Sequence, residues 1–199
     1  MIIGLTGGIA SGKSTAAQYL KSKGAAVLDG DVLGHRAYEP HTQAFGEVVA
    51  TFGPEVVGAD GMIDRKVLGG KVFGNPDALD QLTGILWPEI KRMAEAEIAA
   101  LLAEDPDRPV VLEAAVLFEA GWEDAVDEIW VAVVEVETAV TRAMARDGAN
   151  EDAIRSRIAS QLSNEERRRR ADIVIENNAD EATLLTRLDA EWARVSSNQ

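Results

Sequence analysis

The chain has 199 residues, of which 46% are hydrophobic and 27% are charged, a composition typical of a soluble globular protein with one sizeable core. Its net charge of −14 argues against a broad surface for nucleic acid or anionic lipid, because binding to those partners needs a basic field. Cysteine is absent, which excludes disulfides, thiolate zinc sites and thiol nucleophiles, and with only 2 histidines carboxylates are the expected bases.

The first predicted strand, Ile2–Thr6, runs into the glycine-rich stretch GGIASGKST. Gly7 and Gly12 precede Lys13 and Ser14 in the phosphate-binding pattern G-x-x-x-x-G-K-[ST]. Glycines let successive N–H groups turn inward, and the helix that follows adds its positive dipole end. We expect Lys13 to reach the β and γ phosphates of a nucleotide, and the Ser14 hydroxyl to bind Mg²⁺. The nucleotide-binding positions, called here the phosphate loop, are Gly8, Ile9, Ala10, Ser11, Gly12, Lys13, Ser14 and Thr15.

The second predicted strand, Ala26–Leu28, is followed by the acidic pair Asp29 and Asp31. Ligands of open α/β sheets lie outside the carboxyl ends of the strands, so these carboxylates are expected to face the same crevice as the phosphate loop. Asp31 is a candidate proton acceptor for a hydroxyl that receives a phosphoryl group. An ordinary helix N-cap is an equally good interpretation of Asp31 from its position alone.

Residues 32 to 108 form a long, mostly helical insertion between the second and third predicted strands. One apolar helix face recurs at three- and four-residue spacing and is interpreted as core, with Pro88 expected to kink or break the helix near its middle. The members of this face are Leu79, Leu82, Leu86, Ile90 and Met93.

The third predicted strand, Val110–Glu113, ends in a carboxylate. Glu113 is a candidate to hold Mg²⁺ through water, as the acidic residue of a nucleotide-binding strand does. A surface position after the end of the sheet is the alternative interpretation.

The fourth predicted strand, Ile129–Val134, is followed by a charged helical stretch, 137–170, that we expect Asp147-Gly148 to interrupt once. Arg142 and Arg146 lie one turn apart and are candidates to neutralise a transferring phosphoryl group from a mobile lid. The alternative for these arginines is ion pairing, with Asp147 or Glu137 as partners. The run Arg167–Arg170 is interpreted as a solvated charged face.

The fifth predicted strand, Ile173–Ile175, is followed by a last helix over about residues 181 to 195. Leu184, Leu185, Leu188 and Trp192 are expected to pack this helix on the sheet. Compact apolar strands that alternate with helices predict a five-stranded parallel sheet with helices on both faces, an α/β fold of three layers.

Beyond the phosphate loop, several segments resemble the dephospho-CoA kinase family in order and spacing over nearly the whole chain. They are LTGGIASGKST, LDGDVLGHRAYEP, DGMIDRKVLGGKVF, LFE, RAMARDG, RIASQ and ADIVIENN. The resemblance implies a P-loop NTPase fold and transfer of the γ-phosphoryl group of ATP to the 3′-hydroxyl of dephospho-CoA, the last step of coenzyme A synthesis, with Mg²⁺. It also implies one domain in parts: core about 1–31, 109–136 and 171–199, substrate-binding insertion about 32–108, and lid about 137–170.

The resemblance assigns roles to particular residues. Asp31 takes the place of the acidic residue near the acceptor hydroxyl, with Asp29 as its partner, and Arg142 and Arg146 fall in the lid helix. Asn177 falls where the family has its adenine pocket. The family pattern is broken where Gly30 replaces alanine, Trp87 replaces histidine and Ala115 replaces proline, and no substrate contact is inferred at the last two positions.

Two other functions are compatible with the phosphate loop: that of another P-loop kinase for a small metabolite or nucleotide, and that of a GTPase-type switch. Residues 31–34 match the D-x-x-G pattern of such switches, but no N-K-x-D guanine-reading motif follows. The partners expected are ATP and dephospho-CoA, without nucleic acid or membrane. The sequence predicts a cytoplasmic protein, as a monomer or small homo-oligomer.

Overall fold

The structure, a computed structural model, describes residues 1–197, so positions 198 and 199 of the predicted core segment lie outside the described residues. A five-stranded parallel sheet has the strand order β2-β3-β1-β4-β5. Central β1 pairs in parallel with β3 and β4, and β4 pairs in parallel with β5. The strands, each within one residue of its predicted ends, are β1 Ile2–Gly7, β2 Ala26–Asp29, β3 Val110–Glu113, β4 Glu128–Val133 and β5 Ile173–Glu176.

Helices fill the connections between the strands. Short 3-10 helices cover Pro54–Val56 and Glu123–Ala125. The α-helices are α1 Lys13–Ser22, α2 Gly30–Arg36, α3 Gln43–Phe52, α4 Arg65–Val72, α5 Pro76–Glu104, α6 Val136–Asp147, α7 Glu151–Ala159, α8 Asn164–Arg170 and α9 Glu181–Ser197. None of the helices within residues 1–197 is long and apolar enough to cross a bilayer.

Helices cover both faces of the sheet. Successive side chains of a strand point to opposite faces, so neighbouring residues of β1 pack in different clusters. Ile3 and Leu5 of β1 lie in a fully buried cluster with α1 and α9. Leu184 and Leu188 of α9 are buried in this cluster, with Leu185 and Trp192 packed against it, as predicted. On the other side of the pleat, Ile2 packs against a cluster that contains Ile98 of α5. The predicted three-layer α/β arrangement is therefore confirmed.

The described chain forms two compact units. One consists of Asp29–Glu97, and the other contains the sheet and the described residues on both sides of that stretch. Helices dominate Asp29–Glu97, as predicted, and α3, α4 and the first half of α5 enclose their own apolar cluster around Val48 and Val56.

Of the two outcomes predicted at Pro88, a break is wrong, because α5 is one helix of 29 residues that contains Pro88, whereas a kink stays a prediction. Proline removes one backbone hydrogen bond, but apolar packing on both sides of it holds the helix. Leu82 and Leu86 pack in the cluster of Asp29–Glu97, and Ile98 is buried beside the sheet. Of the predicted apolar face, Ile90 is buried, Leu82, Leu86 and Met93 are half-buried, and Leu79 is 47% exposed.

The stretch 137–170 is interrupted twice, not once as predicted. Gly148 ends α6 in the left-handed conformation, at φ 64°. A second interruption separates α7 from α8, where the Ser163 hydroxyl accepts a hydrogen bond from the Glu166 N–H and so caps a new helix.

Candidate active site

The phosphate loop connects β1 to the N-terminus of α1 by a tight turn. Its backbone is folded by the Ser11 N–H, which donates to the Gly8 carbonyl at 3.2 Å. Ala10 and Gly12 both have positive φ, 54° and 89°, so left-handed residues alternate with others before the helix begins at Lys13. Such alternation turns N–H groups toward one side, and the dipole of α1 adds positive potential there. The loop has the backbone geometry of an anion site.

Lys13, Ser14 and Glu113 meet beside this loop. β3 pairs with β1 so that Glu113 lies in register with Leu5, which brings its carboxylate to the start of α1. Glu113 Oε1 lies 2.6 Å from Lys13 Nζ and 2.8 Å from Ser14 Oγ. Glu113 is only 8% exposed, so the surface interpretation considered for it is wrong. Two residues of the phosphate loop thus contact a carboxylate predicted separately, at the end of the third strand.

The donor set at this point suits a magnesium ion. Mg²⁺ prefers hard oxygen ligands and keeps several waters, so it needs few protein groups beside substrate phosphates. Ser14 Oγ and the Glu113 carboxylate are two oxygen donors in mutual contact. A direct bond from Ser14 and a water-mediated one from Glu113 therefore fit the residues present.

Asn177 braces the phosphate loop from the end of β5. Its side chain is buried, and its Nδ2 donates to the Ser11 carbonyl at 2.8 Å. Its own backbone N–H donates to the Val133 carbonyl at 2.8 Å, which fixes it to β4. The role predicted for Asn177 was in an adenine pocket, whereas the contact seen is with the loop backbone.

We expect Gly12→Ala to lower both the free energy of unfolding and the affinity for ATP. Its φ of 89° is strained for any side chain, and an added Cβ would overlap Asn177 Nδ2. The loss in the free energy of unfolding should be about 2–5 kcal/mol, the sum of backbone strain and overpacking. Denaturant titration and ATP titration measure the two effects.

Gly24→Ala is the matched control. Gly24 has φ 109° at the end of α1, but a Cβ there meets nothing within 4 Å. We expect only the strain of about 1–2 kcal/mol and unchanged ATP affinity. Equal effects of the two substitutions on ATP affinity would show that the contact between Asn177 and the loop is unimportant.

Arg142 and Arg146 both lie on α6, but they have different partners. The Arg142 guanidinium donates to the backbone carbonyls of Asn177 and Ala179 at 2.9 and 2.8 Å. Arg146 forms a bidentate ion pair with Asp147, which raises the pKa of Arg146 and lowers the pKa of Asp147. The ion-pair alternative considered for these arginines thus holds for Arg146, whereas Arg142 is linked to the loop through Asn177.

Asp29 and Asp31 are placed at the junction of β2 and α2. Asp29 is the N-cap of α2, and its Oδ1 accepts from the N–H groups of Asp31 and Val32. The capping function considered for Asp31 therefore belongs to Asp29. Asp31 lies in the first helical turn and is exposed.

The prediction that Arg167–Arg170 form a solvated face is wrong for Arg167, which is 2% exposed. Arg169 does follow the prediction, with its side chain 71% exposed and paired with Glu166. Burial of Arg167 lowers its pKa. Gln161, the last residue of the segment RIASQ, had no predicted role, yet its Oε1 accepts the Ile9 N–H of the phosphate loop at 3.0 Å. The presence of RIASQ among the segments that resemble the family was the signal in the sequence that could have identified Gln161.

A parallel sheet, a strand-loop-helix anion site and a lysine-serine-carboxylate cluster define a nucleotide-binding protein of the P-loop NTPase fold. The chain is similar in structure to a protein from Thermus thermophilus, with a TM-score of 0.81 and 37% identity, over 98% of this chain and 97% of that one. A dephospho-CoA kinase from Campylobacter jejuni shares the fold, with a TM-score of 0.75 at 24% identity over 99% and 98% of the two chains.

A sequence model of the dephospho-CoA kinase family matches residues 1–183. The dephospho-CoA kinase of Geobacter sulfurreducens is 44% identical over 193 residues, which cover 97% of this chain and 98% of that protein. The chain belongs to the dephospho-CoA kinase family.

Proposed function

We propose that this chain transfers the γ-phosphoryl group of ATP to the ribose 3′-hydroxyl of dephospho-CoA. Its membership of the family supports the reaction, ATP-dependent phosphorylation of dephospho-CoA in coenzyme A synthesis. The observation that carries the donor half of the proposal is the contact of Lys13, Ser14 and Glu113 beside the phosphate loop.

On the donor side, the backbone of residues 8–15 would bind the ATP phosphates and Lys13 would contact the β and γ phosphates. Phosphoryl transfer depends mainly on positioning and electrostatics, because charge spreads over the transferring oxygens. Glu113 holds the Lys13 ammonium at the base of the site, so the side chain is ordered before ATP binds. Ser14 and Glu113 would hold Mg²⁺, which supplies positive charge to the phosphate oxygens when bound.

On the acceptor side, Asp31 would accept the proton of the 3′-hydroxyl as that oxygen bonds to the γ-phosphorus and the bond from phosphorus to the ADP oxygen breaks. Asp29 caps α2 and so fixes the backbone that carries Asp31. A carboxylate is the base expected in a chain without cysteine and with only 2 histidines.

The remaining assignments concern regions around the site. Arg142 and Arg146 would neutralise charge at transfer from the lid, about residues 137–170, and Asn177 would border the adenine. For Arg146, this role requires release from Asp147. The insertion, about residues 32–108, would receive the CoA-type substrate within a single kinase domain. The protein is proposed to work in the cytoplasm, as a monomer or small homo-oligomer, without nucleic acid or membrane.

A comparison of acceptors tests the proposed function. Purified protein with Mg²⁺ and ATP should release ADP much faster with dephospho-CoA than with AMP, adenosine or shikimate. A hydroxyl acceptor that fits raises the rate because binding energy positions it for attack. Preference for one of the other acceptors would assign the chain to a different P-loop kinase, and GDP binding without dependence on any acceptor would favour a switch.

A further inference from the structure

Arg167 is a buried cation that the proposed mechanism does not use. It lies on the seven-residue helix α8 among four consecutive arginines, and only 2% of it is exposed. Burial of a guanidinium is costly unless carboxylates and hydrogen-bond acceptors surround it. A buried arginine therefore needs a structural or functional account.

The positive charge of Arg167 is poorly compensated by the protein. The nearest carboxylate oxygen, Glu119 Oε1, lies 3.5 Å from Nη2, a long contact for an ion pair. Nη1 donates to the Leu162 carbonyl, and Nε is buried with no hydrogen-bond partner among the described residues. By comparison, Arg168 on the same helix forms a 2.9 Å pair with Glu176.

The guanidinium faces the phosphate loop. A Cβ added to Gly8 would lie 3.4 Å from Arg167 Nη1 and 3.5 Å from Gln161 Oε1. The same Gln161 oxygen accepts the Ile9 N–H. The bond from Arg167 to the Leu162 carbonyl holds the turn between α7 and α8, next to Gln161. Arg167 thus lies beside Gly8, and Gln161 hydrogen-bonds the next residue of the loop, Ile9.

We propose that Arg167 is a positioning residue for the nucleotide phosphates: together with Gln161 it supports the phosphate loop, and it adds a buried positive charge beside Gly8. The phosphates of ATP would supply the negative charge that Glu119 provides only weakly. Charges in a buried site are screened little by solvent, so the effect acts across the loop without direct contact. This inference rests on the proposed binding of ATP to the phosphate loop.

Arg167→Met tests the inference, with Arg169→Met as the matched control. Both substitutions remove one positive charge from α8, but Arg169 is exposed and paired with Glu166. We expect Arg167→Met to lower the affinity for ATP and ADP by about tenfold or more and the affinity for adenosine by less than about twofold. KM for ATP should rise by a larger factor than kcat falls. Arg169→Met should leave all three affinities unchanged. Arg167→Lys, which keeps the charge, should restore part of the loss.

Glu119→Gln provides a test of opposite sign that does not depend on the folding of Arg167→Met. With the carboxylate neutral, the Arg167 charge is less compensated, so ATP should bind about two- to threefold tighter while the melting temperature falls. In the Arg167→Met background the same substitution should have a smaller effect on ATP, because the two residues are coupled.

The outcomes separate the inference from the proposed function. Wild-type protein that does not bind ATP would contradict both. Where the wild-type protein binds ATP normally, two results would show that Arg167 is purely structural. One is an equal loss of affinity for ATP and adenosine in Arg167→Met, and the other is a lower melting temperature with unchanged affinities. Where Arg167→Met does not fold, weaker or unchanged ATP binding in Glu119→Gln overturns the inference.

Discussion

Replacing Lys13 by methionine is expected to lower kcat by about 10²–10³-fold or more with Mg²⁺, ATP and dephospho-CoA. The ammonium is proposed to stabilise charge that develops on the transferring phosphoryl group, and a methionine of similar length offers none. Lys13 is also the cationic partner of a nearly buried carboxylate, with Nζ 2.6 Å from Glu113 Oε1. The substitution should therefore affect stability as well as turnover.

The two effects can be separated by a second substitution. Lys13→Met leaves Glu113 as a nearly buried carboxylate without its cation, which costs up to about 3–5 kcal/mol. Adding Glu113→Gln removes that unpaired charge, so the double variant should regain stability but stay inactive. Lys21→Met, on the exposed side of α1, is the control and should keep wild-type kcat. Activity that returns together with stability would show that Lys13 is structural.

Replacing Asp31 by asparagine is expected to lower kcat by about 10²–10⁴-fold while KM for ATP changes by less than about twofold. Asparagine keeps the shape of the side chain but is a poor proton acceptor. The capping of α2 depends on Asp29 and not on Asp31, so the helix should remain intact. Circular dichroism and steady-state kinetics with each substrate varied in turn measure these expectations.

Asp77→Asn is the matched control for Asp31→Asn. Each aspartate is exposed in the first turn of a helix, α5 for Asp77 and α2 for Asp31, so both substitutions remove the same favourable interaction with a helix dipole. Only the change at Asp31 should affect turnover. Wild-type kcat in Asp31→Asn would remove this residue from the catalytic role.

The donor half of the site was predictable because its signals are local. A phosphate loop between a strand and a helix consists of consecutive residues, and the motif requires glycine and lysine at the positions of Gly12 and Lys13. For Glu113 the sequence left a metal role and a surface position open, and its contact with Lys13 and Ser14 depends on the pairing of β3 with β1, which was not predicted from the sequence. The strands themselves were predictable because doubly buried strands are compact apolar runs.

Tertiary contacts decided what could not be predicted. Arg167 belongs to a run of arginines whose members have similar local sequence, yet Arg167 is buried and Arg169 is exposed, because residues two apart lie on different sides of a helix. Pro88 gives the same local signal in any helix, and packing on both sides of it kept α5 continuous. Whether Asp29 or Asp31 is the N-cap depends on where α2 begins. The two possible starts differ by two residues, and a sequence pattern does not locate a helix end that closely.

The fate of the γ-phosphoryl group shows whether this chain phosphorylates the 3′-hydroxyl of dephospho-CoA. Protein incubated with Mg²⁺, dephospho-CoA and ATP labelled in the γ-phosphate should produce coenzyme A that carries the label on the ribose 3′-oxygen, identified by mass spectrometry and ³¹P NMR. The label should appear at greatly reduced rates with Lys13→Met and Asp31→Asn. Label found only in free phosphate, or on an oxygen other than the 3′-oxygen, would contradict the proposed transfer to the 3′-hydroxyl of dephospho-CoA.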